Sequence, residues 1–160
     1  CEVTGQKSCR EVSVCTRSAQ TNQEFTECLL DFSDEQAATT YNSISNCRSS
    51  NCSQFSGLAQ AACVARECNT SRSTCGLTGS TTTCADMLTC RIQQTPDCSD
   101  DDFFETLYSD YIYQGPSAEQ GEYFDLMGCF QEQCQNNPSI TCMQTNCGPE
   151  FTACGMTSGG

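Results

Sequence analysis

The residues of this chain that can do chemistry are its cysteines, which recur in two copies of one spacing pattern. Sixteen of the seventeen cysteines form two sets of eight. The first set is Cys9, Cys15, Cys28, Cys47, Cys52, Cys63, Cys68 and Cys75, and the second is Cys84, Cys90, Cys98, Cys129, Cys134, Cys142, Cys147 and Cys154. Thiols at this density form disulfides in exported proteins or bind metal ions as thiolates, so these two chemistries have to be separated.

Two Cys-x4-Cys segments in each repeat favour disulfides. Antiparallel helices with equal cysteine spacing can be joined by nested bridges. The pairs that this geometry favours are Cys47–Cys68, Cys52–Cys63, Cys129–Cys147 and Cys134–Cys142. The other four cysteines of each repeat then pair among themselves and join the first helix to the second segment and to the last cysteine. Zinc is the alternative, but the chain has no histidine and all sixteen cysteines follow the repeat.

Cys1 is the cysteine outside the two sets, and parity gives it a separate role. Because the count is odd, at least one sulfur per chain lies outside internal bridges. We expect Cys1 to be the mature N-terminus that remains after removal of a signal peptide. Its sulfur then forms a symmetric bridge to a second chain, stays a free thiol or carries a lipid anchor. Cys1 is therefore the candidate for attachment or inter-chain contact.

The composition excludes several classes of function. Without histidine the chain lacks the usual base of nucleophilic catalysis and most catalytic metal sites, so we predict a non-enzymatic protein without a cofactor or metal. A net charge of −13 argues against a nucleic-acid partner. The longest apolar-leaning stretch, residues 58–65, is far shorter than the roughly 20 residues that cross a bilayer.

The charge is unevenly divided between the halves. Residues 1–76 hold six basic and eight acidic side chains, a net charge of −2, whereas residues 77–160 hold one basic and twelve acidic, a net charge of −11. Divergence of a duplicated sequence under selection for solubility is the simpler explanation, because exposed charges contribute little beyond steering. Head-to-tail attraction between copies is the other explanation.

A cluster of carboxylates precedes the aromatic insertion of the second repeat. Its members are Asp97, Asp100, Asp101, Asp102 and Glu105. A pair of carboxylates can hydrolyse glycosides, and a cluster can bind calcium, although the spacing is not that of an EF-hand. We favour a helix start, where acidic residues stabilise the first turn.

Short helices are the elements that position the cysteines. Ser8 with Glu11 and Thr83 with Asp86 are typical of N-terminal capping boxes, and residues 33–36, 117–120 and 137–138 predict further helix starts. A helix is expected near residues 21–30. Gly76 and Gly155 follow the last cysteine of each repeat and predict helix ends.

These signals predict an all-α, disulfide-rich fold of two tandem eight-cysteine repeats. The repeats cover residues 1–76 and 77–160, and each is expected to be a small bundle of about four short helices. The second repeat carries the insertion, whose candidate interaction face is formed by Phe103, Leu107, Tyr108, Tyr111 and Tyr113. The alternative is that these side chains form the small core of the second repeat.

The repeat resembles cysteine-rich exported proteins, many of them lipoproteins, that abound in myxobacteria and related bacteria. The resemblance depends on TCADMLTC (residues 83–90), Cys98, SAEQGEYFDLMGCFQEQC (117–134) and CMQTNCGPEFTACG (142–155). It implies the cell surface or the extracellular matrix and carries over no catalytic residue.

The functional prediction is a secreted or cell-surface structural protein that assembles with copies of itself into oligomers or filaments. Repeat architecture, dense cross-linking and the charge asymmetry motivate it. The alternative is a secreted or lipid-anchored binding module, such as an adhesin, inhibitor or effector, that uses the aromatic insertion.

Overall fold

The structure is a computed structural model that describes residues 5–93, 103–135 and 139–156. Within these ranges it is helical and has no β-strand beyond an isolated bridge between Lys7 and Phe32, which confirms the all-α, disulfide-rich class. The first repeat contains α1 (Cys9–Ser18), α2 (Asn22–Leu30), α3 (Glu35–Asn51), α4 (Gly57–Glu67) and α5 (Asn69–Thr74). The second contains α6 (Cys84–Gln93), α7 (Phe103–Thr106), α8 (Ser117–Gln133), α9 (Ile140–Asn146) and α10 (Gly148–Ala153).

Between α7 and α8 the chain forms a π-helical turn over Leu107–Tyr111 and a 3₁₀ turn over Ile112–Gln114. No helix among the described residues has the length and apolar character that crossing a membrane requires.

Helix lengths preserve the duplication. Helices α1 and α6 have 10 residues each, α3 and α8 have 17, and α5 and α10 have 6. About four short helices were expected in each repeat, and the described part of each contains five α-helices. The extra break falls at Cys68 and at Cys147, where ψ values of 25° and 34° leave the α-helical region.

Three helix starts carry capping boxes where the sequence predicts a helix. Ser8 accepts a hydrogen bond from the backbone N–H of Glu11, whose carboxylate accepts from the N–H of Ser8, and Thr83 and Asp86 repeat this exchange. Thr21 forms a further capping box before α2, so the predicted helix near residues 21–30 is confirmed. These reciprocal bonds satisfy N–H groups that have no partner within a helix.

Helices α3 and α8 begin within the predicted segments 33–36 and 117–120, although the capping side chains differ from those predicted. Asp34, not Ser33, caps α3, because its carboxylate reaches the N–H of Ala37. Ser139 caps α9, whereas the predicted cap at residues 137–138 lies outside the described residues. In the predicted box at residues 117–120, Gln120 points into the core and makes no cap bond.

Gly76 and Gly155 end α5 and α10 as predicted. Their φ angles of 74° and 75° lie in the left-handed region, which glycine adopts without a steric cost. The same two backbone hydrogen bonds follow in each repeat. In the one that spans more residues, the N–H of Leu77 donates to the carbonyl of Arg72, and the N–H of Met156 donates to that of Phe151. Each repeat therefore ends in the same turn.

Among the described residues, seven disulfides join cysteines within the repeats. They are Cys9–Cys75, Cys15–Cys28, Cys47–Cys68, Cys52–Cys63, Cys84–Cys154, Cys129–Cys147 and Cys134–Cys142. The four nested pairs are those that the spacing favoured. Cys90 is also disulfide-bonded. Cys1 and Cys98 lie outside the described residues. None of these seven bridges joins a cysteine of the first repeat to a cysteine of the second.

The hydrophobic core, in contrast, is continuous across the repeats. One cluster includes Val14 and Ala65 from the first repeat with Met87, Leu88 and Leu126 from the second. Helix α4 packs against α8 more extensively than any other pair of elements. Disulfides hold each repeat, and shared apolar burial holds the two together.

Polar contacts also fix the boundary between the repeats. In the connection, Gly79 donates to the carbonyl of Gly115 at 3.0 Å and Thr81 donates to that of Gln114 at 3.0 Å. Arg10 donates to the carbonyls of Gly76 and Ser109, both at 2.5 Å. The second repeat is thereby seated on the first.

Candidate functional site

The aromatic insertion contributes mostly to the core. Leu107 is 1% exposed and Tyr113 is 4% exposed, so these two residues cannot form an interaction face. Phe103, Tyr108 and Tyr111 are partly buried and pack against the main core. The insertion folds inward because its π-helical and 3₁₀ turns bring Leu107, Ile112 and Tyr113 to one side. Only Phe104 is a large exposed apolar side chain there, at 41%.

The structure describes one member of the acidic cluster that precedes the insertion. Asp97, Asp100, Asp101 and Asp102 lie outside the described residues, and Glu105 lies exposed on α7. Among the described residues, no three histidine, cysteine, aspartate or glutamate side chains are grouped so that they could hold a metal ion.

Most cations of the first repeat have partners. Lys7 pairs with Asp31 and Arg66 pairs with Asp125 of α8, each at 2.5 Å. Arg10 and Arg72 donate to groups of the second repeat. Attraction between the more basic half and the more acidic half is therefore partly satisfied within one chain. Among the described residues, the remaining two, Arg17 and Arg48, form no ion pair with a carboxylate.

Arg17 and Arg48 lie on the same groove. The cationic groove is a depression of about 570 Å³ between α1, α2 and α3. Its principal side chains are Arg17, Phe25, Leu30, Phe32, Tyr41 and Arg48. Among the described residues, no aspartate or glutamate lines it. In a chain with a net charge of −13, this groove is a local concentration of positive charge.

The helices hold both guanidinium groups in place. Arg17 lies in the last turn of α1, 5.9 Å from the centre of the Tyr108 ring, and is hydrogen-bonded to Tyr113. A cation over an aromatic ring is attracted by its π electrons. Arg48 lies in the last turn of α3, where the helix dipole favours a positive charge.

Apolar side chains on the groove are unusually exposed. Phe25 is 42% exposed and Leu30 is 72% exposed, whereas Phe32 is buried with its ring 5.4 Å from that of Tyr41. Exposed apolar side chains beside unpaired cations suit a partner that is both apolar and anionic.

A second depression carries the opposite charge. The acidic cleft has a volume of about 790 Å³ and lies where the first turn of α4 faces α8 and α10. Asp125, Glu132 and Glu150 line it, no lysine or arginine does, and it shares no residue with the cationic groove. Arg66 neutralises Asp125, so Glu132 and Glu150 are its unbalanced charges.

Helix α8 carries two further carboxyl groups, Glu119 and Glu122, which do not line the acidic cleft. Burial raises the pKa of Glu122, and the charges of Glu119 and Asp125 raise it further against the lowering effect of Arg66. A carboxyl group that resists ionisation beside other carboxylates is stabilised when a cation approaches.

Comparison of the chain with protein-family models, with curated proteins and with solved structures gives no match. The resemblance to exported myxobacterial proteins therefore stays a prediction.

Sequence reasoning found neither the groove nor the cleft. The charge division between the halves was visible, but Arg17 and Arg48 are 31 positions apart and only the packing of α1 on α3 brings them together. The available signal was the position of each arginine next to a repeat cysteine on its helix: Arg17 comes two residues after Cys15, and Arg48 directly follows Cys47.

Proposed function

We propose that this protein is a non-enzymatic extracellular structural protein whose copies assemble head to tail, with the cationic groove of one copy on the acidic cleft of the next. The observation that carries the proposal is the presence of two surfaces of opposite charge on one chain, one without carboxylates and one without cations. Because the two surfaces differ, their contact repeats from copy to copy, and it gives an open chain of subunits where the rotation between copies does not close a ring.

Several features of the molecule support this assignment. Disulfides at this density are typical of proteins that work in an oxidising environment outside the cytoplasm. The apolar side chains Phe25 and Leu30 give the groove a surface that gains from being covered. On the cleft, Leu58 and Phe124 offer apolar surface between the carboxylates. Cell-surface or filament localisation belongs to the same proposal.

Two reversed-charge variants test the proposed contact. The groove variant carries Arg17→Glu with Arg48→Glu, and the cleft variant carries Glu132→Lys with Glu150→Lys. Neither set of residues lies in the hydrophobic core. We expect each variant alone to remain monomeric in light scattering at low salt, because the reversed surface repels the unchanged one.

Mixing the two variants restores complementarity at both kinds of contact, since each reversed surface then meets a reversed partner. We expect an equimolar mixture to assemble as the unchanged protein does. Glu35→Lys with Glu67→Lys is the matched control, because it changes the net charge as much as the cleft variant but touches neither surface. Assembly of either variant alone, or a mixture that stays monomeric, would contradict the proposal.

A further inference from the structure

The two repeats have equivalent depressions between their first and long helices. Aligning Cys15 with Cys90 and Cys47 with Cys129 pairs the positions on α1 with α6 and on α3 with α8. The equivalent positions are Thr16 and Arg91, Arg17 and Ile92, Tyr41 and Tyr123, Ser45 and Met127, and Arg48 and Phe130. In the first repeat these residues line the cationic groove, and in the second they line a different depression.

The depression of the second repeat, the Arg91 cavity, is mainly apolar. It has two adjoining lobes of about 460 Å³ and about 230 Å³, which share Arg91, Met127 and Phe130. Phe104 lies on the larger lobe and Ile140 on the smaller, and both are exposed, at 41% and 37%. The larger lobe alone is within the range of roughly 300–1,000 Å³ that is usual for small-molecule sites.

Arg91 is the single cation among the residues that line this cavity. Tyr123 on α8 is neutral and lies close enough for the charge of Arg91 to lower the pKa of its hydroxyl, against the larger raising effect of burial. Within the described residues, no carboxylate forms an ion pair with Arg91. A guanidinium against apolar walls is stabilised by an anion that reaches it with two oxygens, as a carboxylate does.

We infer that the Arg91 cavity binds an amphipathic carboxylate, a molecule with one carboxyl group and an unbranched alkyl chain. The carboxylate pairs with Arg91 at the junction of the lobes, and the alkyl chain lies against Met127 and Phe130. In the equivalent groove of the first repeat, Ser45 and Arg48 stand at the positions of Met127 and Phe130, and Phe25 and Leu30 of α2 supply apolar surface instead. The two depressions therefore combine cations and apolar side chains in different arrangements.

The test measures binding of decanoate to the intact oxidised protein by isothermal titration calorimetry. Decyltrimethylammonium is the matched probe, because it has the same alkyl chain and the opposite charge. We expect decanoate to bind and decyltrimethylammonium to bind at least about tenfold more weakly. Arg91→Met replaces the guanidinium with an apolar side chain of similar length. It is expected to weaken decanoate binding about 10- to 100-fold, which corresponds to the loss of a charge-assisted hydrogen bond.

Substitutions at two further positions distinguish a loss of decanoate binding from a loss of folding. Ile140→Asp places a carboxylate on the exposed rim and is expected to weaken decanoate binding, whereas Ile140→Asn, of the same size without the charge, retains it. Arg48→Met in the first repeat is expected to leave decanoate binding unchanged. Equal binding of the two probes, full affinity in Arg91→Met, or no binding of decanoate to the unchanged protein would overturn the inference. Loss of stability in Arg91→Met without any decanoate binding would also overturn it, because Arg91 would then serve the fold alone.

Discussion

The guanidinium of Arg72 donates to the side-chain oxygen of Gln120 across the boundary between the two repeats. Both side chains are buried, at 4% and 0% exposure. Arg72 also donates to the carbonyls of Ala65 and Leu77, and Gln120 donates to those of Leu77 and Gly115. Burial lowers the pKa of Arg72 to about 10. The pair therefore joins the repeats through a buried charge that depends on neutral oxygen acceptors.

Replacing Gln120 is expected to destabilise the whole chain. Gln120→Leu removes the side-chain acceptor of Arg72 and the donors of two buried carbonyls, which costs about 2–3 kcal/mol of unfolding free energy. Denaturant unfolding of the oxidised protein measures the loss. Gln23→Leu is the matched control, because Gln23 is exposed on α2 and its side chain bonds only to Glu27. Equal stability of the two variants would show that Gln120 does not hold the boundary.

Position 79 is expected to tolerate no side chain, because the backbone of Gln114 lies close to Gly79. A Cβ on Gly79 would lie 2.3 Å from the carbonyl oxygen of Gln114, a backbone atom that cannot rotate away. Gly79→Ala should therefore lower stability by about 1–3 kcal/mol, the usual cost of overpacking. Gly148→Ala is the control, since nothing lies within 4 Å of the added carbon there. Thermal unfolding of both variants gives the comparison, and an unchanged Gly79→Ala protein would mean that the connection is not seated on the second repeat.

Two of the five tyrosines should ionise only at high pH in an alkaline titration. Burial raises the pKa of Tyr113, and burial also raises that of Tyr123 to about 12. The neutral phenol is favoured in the fold, so this contribution to stability is complete below the ordinary pKa of 10.0 and is lost as pH rises toward 12. Absorbance of the phenolate during a rapid alkaline titration should show two tyrosines ionising late and together with unfolding. Ionisation of all five near pH 10 would contradict the burial.

Tryptic digestion without reduction tests the nested bridges. Cleavage after Arg48 and Arg66 releases residues 49–66, which contain both Cys52 and Cys63. The observed Cys52–Cys63 bridge lies inside this peptide, so mass spectrometry should find it free and lighter by two hydrogens than its reduced form. The same peptide linked to residues 67–72 would instead show that Cys52 or Cys63 pairs with Cys68, and would contradict the nested arrangement.

The local features of the fold could be predicted from the sequence, whereas the surfaces could not. Capping boxes such as Ser8 with Glu11, the glycine turns and the nested cysteine pairs each depend on spacing within one or two helices, which the sequence displays directly. Gln120 shows the limit of this reasoning. Its spacing from Ser117 matches a capping box, but a buried arginine from the other repeat is the stronger partner.

The same limit applies to the candidate surfaces. The four-residue spacing of Phe103, Leu107 and Tyr111 gives one helical stripe only if residues 103–111 form a regular α-helix. The π-helical turn over Leu107–Tyr111 and the 3₁₀ turn that follows it depart from that geometry, and both Leu107 and Tyr113 are buried. Arg17 and Arg48 meet through tertiary packing, so no pattern along the chain places them on one groove.

We propose that copies of this protein assemble through oppositely charged surfaces. Sedimentation velocity of the oxidised protein tests this assembly. The measurement is a concentration series in about 0.01 M salt and in about 1 M salt, where the screening length falls from roughly 30 Å to 3 Å. We predict species of increasing size with rising concentration at low salt, and their return to monomer at high salt. A single monomeric boundary at every concentration in low salt would contradict the claim.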